Sequence, residues 1–310
     1  MLNPVLPNVL LFIYLNWMTS DEMSIKLVWI SDLHLDHLES KDPGALMRLE
    51  AALEEEGAAH ILLGGDIADS RSFEAGLKHL LDVTRCSISF VLGNHDYYFG
   101  SVADVRRRAA ALQIPGLQWL PKTGVVELNK DTALIGHGGW GDAHRGDMEN
   151  FILLTDYAAI KELADTINHE DFWINGFRKR SALISKLRQL GEEASKSLKY
   201  YLDKAAGRYK RILILTHVTP FVETCTYRDR PGSEQGFPGF LWDCMGILLK
   251  SAAAEYPETE FLVLSGHTHE DSYARVASNI RAWSSPAEYG ELRYRIVESS
   301  GWTVGPSILV

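Results

Sequence analysis

Five short segments of the chain concentrate side chains that bind metal ions. They are Ser31-Asp32-Leu33-His34, Gly64-Gly65-Asp66-Ile67-Ala68-Asp69, Gly93-Asn94-His95-Asp96, Thr216-His217 and Ser265-Gly266-His267-Thr268-His269. Together they offer Asp, Asn and His without a thiolate. That donor set suits Mn, Fe or Zn better than Cu(I) or an iron–sulfur cluster. In extended backbone, residues i and i+2 point the same way. Asp32 and His34 are therefore expected to face one cation together, as are His267 and His269. The glycines before Asp66, Asn94 and His267 allow a sharp turn and a close approach to an ion.

Each segment has an ordinary reading when taken alone. Gly-Asp after a strand is usually a turn, because Asp tolerates turn geometry. A single histidine such as His217 usually sits satisfied in a core or loop. The conjunction is what carries weight, since all five segments follow strand-like runs. Of the eleven histidines, six stand just after such a run: His34, His95, His137, His217, His267 and His269. In α/β sheets the carboxyl ends of strands are where ligands bind.

The elements that must position these groups are legible as short apolar runs rich in β-branched residues. They cover 25–30, 60–63, 88–92, 132–135, 212–215 and 261–264. Runs of that length ending in Gly, Asp, Asn or His read as buried strands. Helical spacing of apolar residues appears at 44–56, 73–81 and 102–112 between them. The alternation argues for a layered α/β fold. The middle of the chain differs. Residues 151–167 and 178–202 read as amphipathic helices, the second with Leu183, Leu187, Leu190, Ala194 and Leu198 along one face. The expectation is a helical insertion at about 141–210, acting as a lid or flank rather than part of the sheets. Two further, partly alternating strands are expected near 281–284 and 292–297.

The ordered set Asp-x-His, Gly-Asp-x-x-Asp, Gly-Asn-His-Asp, x-His and Gly-His-x-His resembles the calcineurin-like metallophosphoesterase superfamily. The resemblance runs from Asp32 to His269. It implies a four-layer α/β/β/α sandwich of two mixed sheets, elaborated by the helical insertion. It also implies two transition-metal ions about 3.5 Å apart, divalent or trivalent, with Mn, Fe or Zn left open. Carried over motif by motif, Asp32, His34 and His269 go to one ion. Asn94, His217 and His267 go to the other, and Asp66 bridges both. His95 matches the family's general-acid position. No ligand position is degraded, and Thr216 stands where many relatives carry Gly.

Charge arithmetic gives the expected chemistry. Two divalent ions, the carboxylates of Asp32 and Asp66 and a bridging hydroxide leave a cluster of about +1 that attracts phosphate. Metal binding brings the pKa of water from 15.7 towards ~7. The hydroxide would attack phosphorus in line, and His95 would protonate the leaving alkoxide. Asp69 and Asp96 are expected either to orient an imidazole or simply to bond their own turns. His137, Trp140 and Arg145, and separately Tyr227, Arg228 and Arg230, are placed near the substrate rim or in solvated loops. Trp283 and Tyr289, within 279–290, either form another wall or pack.

Composition bounds the alternatives. The 310 residues are 46% apolar and 23% charged, ordinary for a globular chain. The net charge is 31 − 41 = −10. That disfavours a protein gripping long nucleic acid through its overall field. Three cysteines without CxxC spacing fit a reducing, cytoplasmic setting with no disulfide framework. Residues 9–18 are apolar but shorter than the ~20 that span a bilayer. Residues 1–23 are read as an extension outside the fold, and 24–310 as one domain. The expected activity is hydrolysis of a phosphomonoester or phosphodiester. Alternatives are a phosphoprotein phosphatase or nuclease with the same site, and a non-catalytic interaction module. The expected partner is a phosphate-ester substrate, with no membrane and nucleic acid only as substrate. Oligomeric state stays open.

Overall fold

The computed structural model describes residues 25–167, 173–174, 177–178, 180–227, 230–299 and 301–310. The expected extension, 1–23, lies outside them, as do Arg228 and Asp229. The strands of the two main sheets are β1 (Lys26–Ile30), β2 (His60–Leu63), β3 (Ser87–Phe90), β4 (Leu117–Trp119), β5 (Val126–Asn129), β6 (Thr132–Gly136), β7 (Arg211–Leu215), β8 (Glu260–Ser265), β9 (Ser272–Ala277), β10 (Ile280–Ser284), β11 (Arg293–Glu298), β12 (Thr303–Val304) and β13 (Ile308–Leu309). The longer helices are α1 (Leu35–Lys41), α2 (Ala45–Glu56), α3 (Phe73–Thr84), α4 (Val102–Ala111), α5 (Lys161–Ile167), α6 (Ser181–Ala205) and α7 (Asp243–Glu255).

Two mixed sheets result. The first has the order β12-β11-β1-β2-β3-β4, with β13 also paired to β11. Its β1, β2, β3 and β4 run parallel, and β11 is antiparallel to β1. The second has the order β9-β10-β8-β7-β6-β5, parallel through β10, β8, β7 and β6. Side-chain alternation along the central strands builds three apolar layers. Leu27 and Trp29 of β1 meet Leu213 and Leu215 of β7 and Leu262 and Leu264 of β8 between the sheets. Val28 and Ile30 turn the other way, onto Leu49 of α2 and Phe73 and Leu77 of α3. Ile212 and Ile214 turn onto Leu198 of α6 and Leu249 of α7. Each such buried side chain contributes roughly 1.5–3 kcal/mol relative to exposure. The layering is α/β/β/α.

Each of the six apolar runs coincides with a strand, its ends agreeing to within two residues. Of these elements, those that sequence reading did not find are α1, α7 and β4, β5, β9, β12 and β13. All five of these strands lie at sheet margins. Their residues are mostly half-exposed, as along β9, so they lack the continuous apolar run that a strand buried on both faces shows. Residues 151–167 are not one helix. Residues 151–154 are irregular, a single turn follows at Asp156–Ala159, and Ile160 is extended before α5. Tertiary contacts override periodicity there, because the Asp156 carboxylate is held by groups from another loop. The second expected helix is α6, which runs from Ser181 to Ala205 rather than from 178 to 202. Between β6 and β7, the described residues add no strand to either sheet, and Trp173–Ile174 pairs only with Phe177–Arg178.

Candidate metal centre

The loops after β1, β2, β3, β7 and β8 meet at one place. The local backbone there is not the extended one expected from i, i+2 spacing. Asp32, His34, Asp66, His267 and His269 all have positive φ, between 43° and 69°. Such left-handed conformations cost non-glycine residues of order 1–3 kcal/mol and persist where surrounding structure enforces them. Asp32 and His34 face the same space because the chain curls, not because it is straight. Gly93 and Gly266 make the approach possible. A Cβ on Gly93 would collide with the Asp66 carboxylate and the His217 ring, and one on Gly266 with Asp32 and Ser31.

One oxygen or nitrogen from each of Asp32, His34, Asp66 and His269 falls within 4.8 Å of the others. Asp66 faces two ways. Its Oδ2 lies 3.8 Å from His34 Nε2, and its Oδ1 lies 3.4 Å from His217 Nε2. His269 Nε2 is 3.3 Å from Asp32 Oδ1. Asn94 Oδ1 is 2.9 Å from His217 Nε2, and the His217 and His267 rings lie 5.0 Å apart. All seven residues singled out as ligands are thus brought together.

The residues fit a pair of ions. Both ring nitrogens of His34 are buried without a hydrogen-bond partner, a costly state for polar atoms unless something coordinates them. His217 Nδ1 lies 2.9 Å from the Gly64 carbonyl. A carbonyl only accepts, so Nδ1 carries the hydrogen and the neutral ring presents a bare lone pair at Nε2. That lone pair and Asn94 Oδ1 are two acceptors face to face, which a cation between them reconciles. His267 Nε2 similarly donates to the Gly239 carbonyl at 3.1 Å, leaving Nδ1 as its ligand atom. A cavity of about 10 Å³ lined by Asn94, His217 and His267 lies beside them.

The electrostatics agree. Burial pulls His34 down to about 2 and His217 and His267 to about 4, so all three are neutral and ready to ligate. Burial opposes the charge on Asp32, but the imidazoles of His217, His269 and His34 outweigh it and hold that carboxyl low. Burial also raises Asp66, well above the usual carboxylate range, and the charge of Asp32 adds to it. His269 is raised, because Asp32 beside it overcomes the effect of burial.

His95 stands at the edge of this group. Its N–H donates to Asp66 Oδ1 at 2.8 Å. Its ring stacks on Tyr98 with centroids 4.1 Å apart, and its Nε2 lies 3.4 Å from the Tyr289 hydroxyl. Asp96 accepts the backbone N–H groups of Ile67, Ala68 and Gly93, which ties two ligand loops together. Asp69 bonds Arg71 and Ser72 of its own turn. Both carboxylates thus bond turns, and neither is bonded to His95. His137 is buried against Trp242, with Nδ1 accepting from Gly139 N–H, and is not among the clustered ligands. Arg145 pairs with Asp243 at 3.6 Å, and Trp283 packs on Tyr273. Sequence reading missed Asp156 and Tyr98. Tyr98 adjoins the Gly93–Asp96 segment and was discoverable there. Asp156 lies 62 positions from Asn94 in sequence and carried no signal. A second group, Asp142, His144 and Cys244, brings three donor types together. Its Asp142 oxygens accept the backbone N–H groups of His144 and Cys244, which caps the start of α7.

Two facing mixed sheets, flanked by helices and carrying such a group at their strand ends, define the metallophosphoesterase fold. Residues 25–271 match the calcineurin-like phosphoesterase family, and the chain belongs to it. No curated protein matches the sequence. Among solved structures, a dimetal phosphatase from Danio rerio superposes with a TM-score of 0.54 at 13% identity, over 92% of this chain and 98% of that one. A phosphopantetheinyl hydrolase from Mycobacterium tuberculosis gives 0.55 at 15% identity, over 86% and 90%. A Thermus thermophilus protein gives 0.51 at 15% identity, over 91% and 99%. At these identities the likeness is one of fold. Among the described residues no helix is long and apolar enough to cross a membrane.

Proposed function

We propose that the protein is a two-metal hydrolase of phosphate esters, acting on a phosphomonoester or phosphodiester. The observation that carries this reading is the convergence of seven ligand-type side chains from five loops, with Asn94 Oδ1 and His217 Nε2 facing each other as bare acceptors. When bound, the ions would supply an acidified water as nucleophile and charge to stabilise the phosphoryl oxygens. Asp32, His34 and His269 would hold one ion, Asn94, His217 and His267 the other, and Asp66 both.

His95 would protonate the leaving oxygen. Burial pulls this imidazole to about 4 in the free chain. An anionic phosphate beside the ring favours the imidazolium, so the substrate itself charges the acid it needs. Stacking on Tyr98 fixes the direction of the ring, and the backbone N–H bond to Asp66 holds its main chain. Tyr289, beside His34, His95 and His269, would wall the leaving-group side. The stretch at 141–210 would flank the site, to which it contributes Gly141, Asp156, Tyr157 and Leu187.

The test is hydrolysis of p-nitrophenyl phosphate against bis-p-nitrophenyl phosphate, with Mn²⁺, Fe²⁺ or Zn²⁺ supplied in turn. Cyclic nucleotides, phosphoproteins and single-stranded DNA follow. Metal-dependent turnover of one class supports the reading and names the substrate type. A chain that takes up no metal and cleaves none of them overturns it.

A further inference from the structure

The second ligand set contains an ambiguity that a neighbouring carboxylate resolves. A side-chain amide has an acceptor face and a donor face, and Asn94 must turn its oxygen toward His217 for both to serve one cation. In the opposite orientation Nδ2 would donate to His217 Nε2 and the site would close on itself. Asp156 decides between them. Its Oδ1 accepts from Asn94 Nδ2 at 3.0 Å, in a place where Asp156 is 5% exposed. A carboxylate only accepts, so a reversed amide would set oxygen against oxygen there.

The same Oδ1 accepts from the Tyr98 hydroxyl at 2.6 Å. Burial and the neighbouring Asp156 raise Tyr98 far above its ordinary range, so the hydroxyl keeps its hydrogen and donates. Tyr98 is in turn the ring on which His95 stacks. One carboxylate oxygen therefore holds two consecutive functional residues, the ligand Asn94 directly and His95 through Tyr98. Asp156 enters from the chain between β6 and β7, remote in sequence from every ligand loop.

We propose that Asp156 is the positioning residue of this centre, turning the Asn94 oxygen toward the second ion and seating Tyr98 beneath His95. The proposal rests on the two-metal reading. Mn²⁺ titration by calorimetry on the full chain tests it, with folding checked by circular dichroism and thermal melting. Partners of this kind typically carry 10–100-fold in metal affinity. Asp156→Ala is expected to weaken one of the two ions by about 100-fold and leave the other unchanged. Asp156→Asn keeps the shape but loses the charge-assisted bonds, and is expected to weaken the same ion by about tenfold with an almost unchanged melting temperature. Tyr98→Phe is expected to leave both ions bound. Wild-type protein binding two ions, and both Asp156 variants binding them with unchanged affinity, overturns the proposal while the two-metal reading stands. Equal weakening of both ions marks a merely structural role and also overturns it. Wild-type protein that binds no Mn²⁺ overturns both.

Discussion

The backbone N–H of His267 donates to the carboxylate of Asp32, 3.0 Å from Oδ1, across 235 positions of sequence. Asp32 follows β1 in one sheet and His267 follows β8 in the other. This bond links the two sheet ends, and the Ser31 hydroxyl on Asp32 Oδ2 at 2.6 Å orients the carboxylate that receives it. The candidate centre is therefore a seam. Bonds that cross from sheet to sheet hold its ligands, and the left-handed turn at Asp32 and His34 is closed by bonds to the neighbouring loop of the same sheet. Changes at the seam should act on metal binding before they act on the fold, whose three apolar layers lie elsewhere.

Asp66→Asn is the sharpest case. The two oxygens of Asp66 face His34 and His217 separately. An amide supplies one acceptor in place of two, so both ions should weaken together. Elemental analysis of dialysed protein should give well under one ion per chain, with activity down by about 10² or more, in the range seen when a principal catalytic group is lost. A variant that retains two ions and full turnover removes Asp66 from the bridging role.

Gly93→Ala should abolish metal uptake without changing any ligand. The added methyl has no room between Asp66 and the ring of His217. Gly57→Ala is the control. That glycine has positive φ, 64°, which Gly93 does not, but open space around it, so the change should cost only about 1–2 kcal/mol of stability. Equal metal content in the two variants, measured after the same dialysis, contradicts the close-approach argument.

His137 offers a pH test away from the ligands. Burial pulls its imidazole down to about 3, and Arg106 adds to the effect. The unfolded chain takes up a proton near pH 6.5 where the folded one does not. Stability on this account is unaffected above about pH 6.5 and falls as the pH drops toward 3, by up to ~1.4 kcal/mol per pH unit. His137→Asn keeps an acceptor for Gly139 N–H and removes the titration. Urea unfolding of metal-free protein at pH 7.5, 6.5 and 5.5 should show a shallower acid loss in the variant. Parallel slopes would contradict a neutral, buried His137.

The central strands and the seven clustered residues were legible because both depend on local sequence. A strand buried on both faces needs an unbroken apolar run, and a ligand loop needs Gly beside Asp, Asn or His. What escaped was set by partners distant in sequence. β9 is half-exposed and is a strand because β10 lies beside it. The helix expected at 151–167 is interrupted, with Asp156 tied to Asn94 and Tyr98. The paired direction of Asp32 and His34 was foreseen on the premise of extended backbone, whereas positive φ at both residues produces it. That curl is imposed by bonds such as Asp32 N–H to the Gly65 carbonyl and His34 N–H to the Asp66 carbonyl, which no local pattern announces.

His95 carries the last prediction. As the general acid, it should matter in proportion to how badly the leaving group needs a proton. His95→Asn should keep both ions, because the bond to Asp66 comes from the backbone N–H, which the substitution retains. It should slow an alkyl phosphate by about 10²–10⁴-fold, the usual worth of general acid catalysis. Nitrophenyl esters, whose leaving group is already stable as an anion, should slow far less. Two rival roles give different patterns. A ring that only binds phosphate would slow both ester types alike. A ring that only supports the Gly93–Asp96 loop through Tyr98 would lower metal content or melting temperature. Tyr98→Phe separates the acid from its support: it keeps the stacking ring but drops the hydroxyl that Asp156 holds. It should therefore show a weaker form of the same leaving-group dependence, with both ions in place. Equal slowing of good and poor leaving groups in His95→Asn takes His95 out of the acid role and leaves the metal ligands untouched.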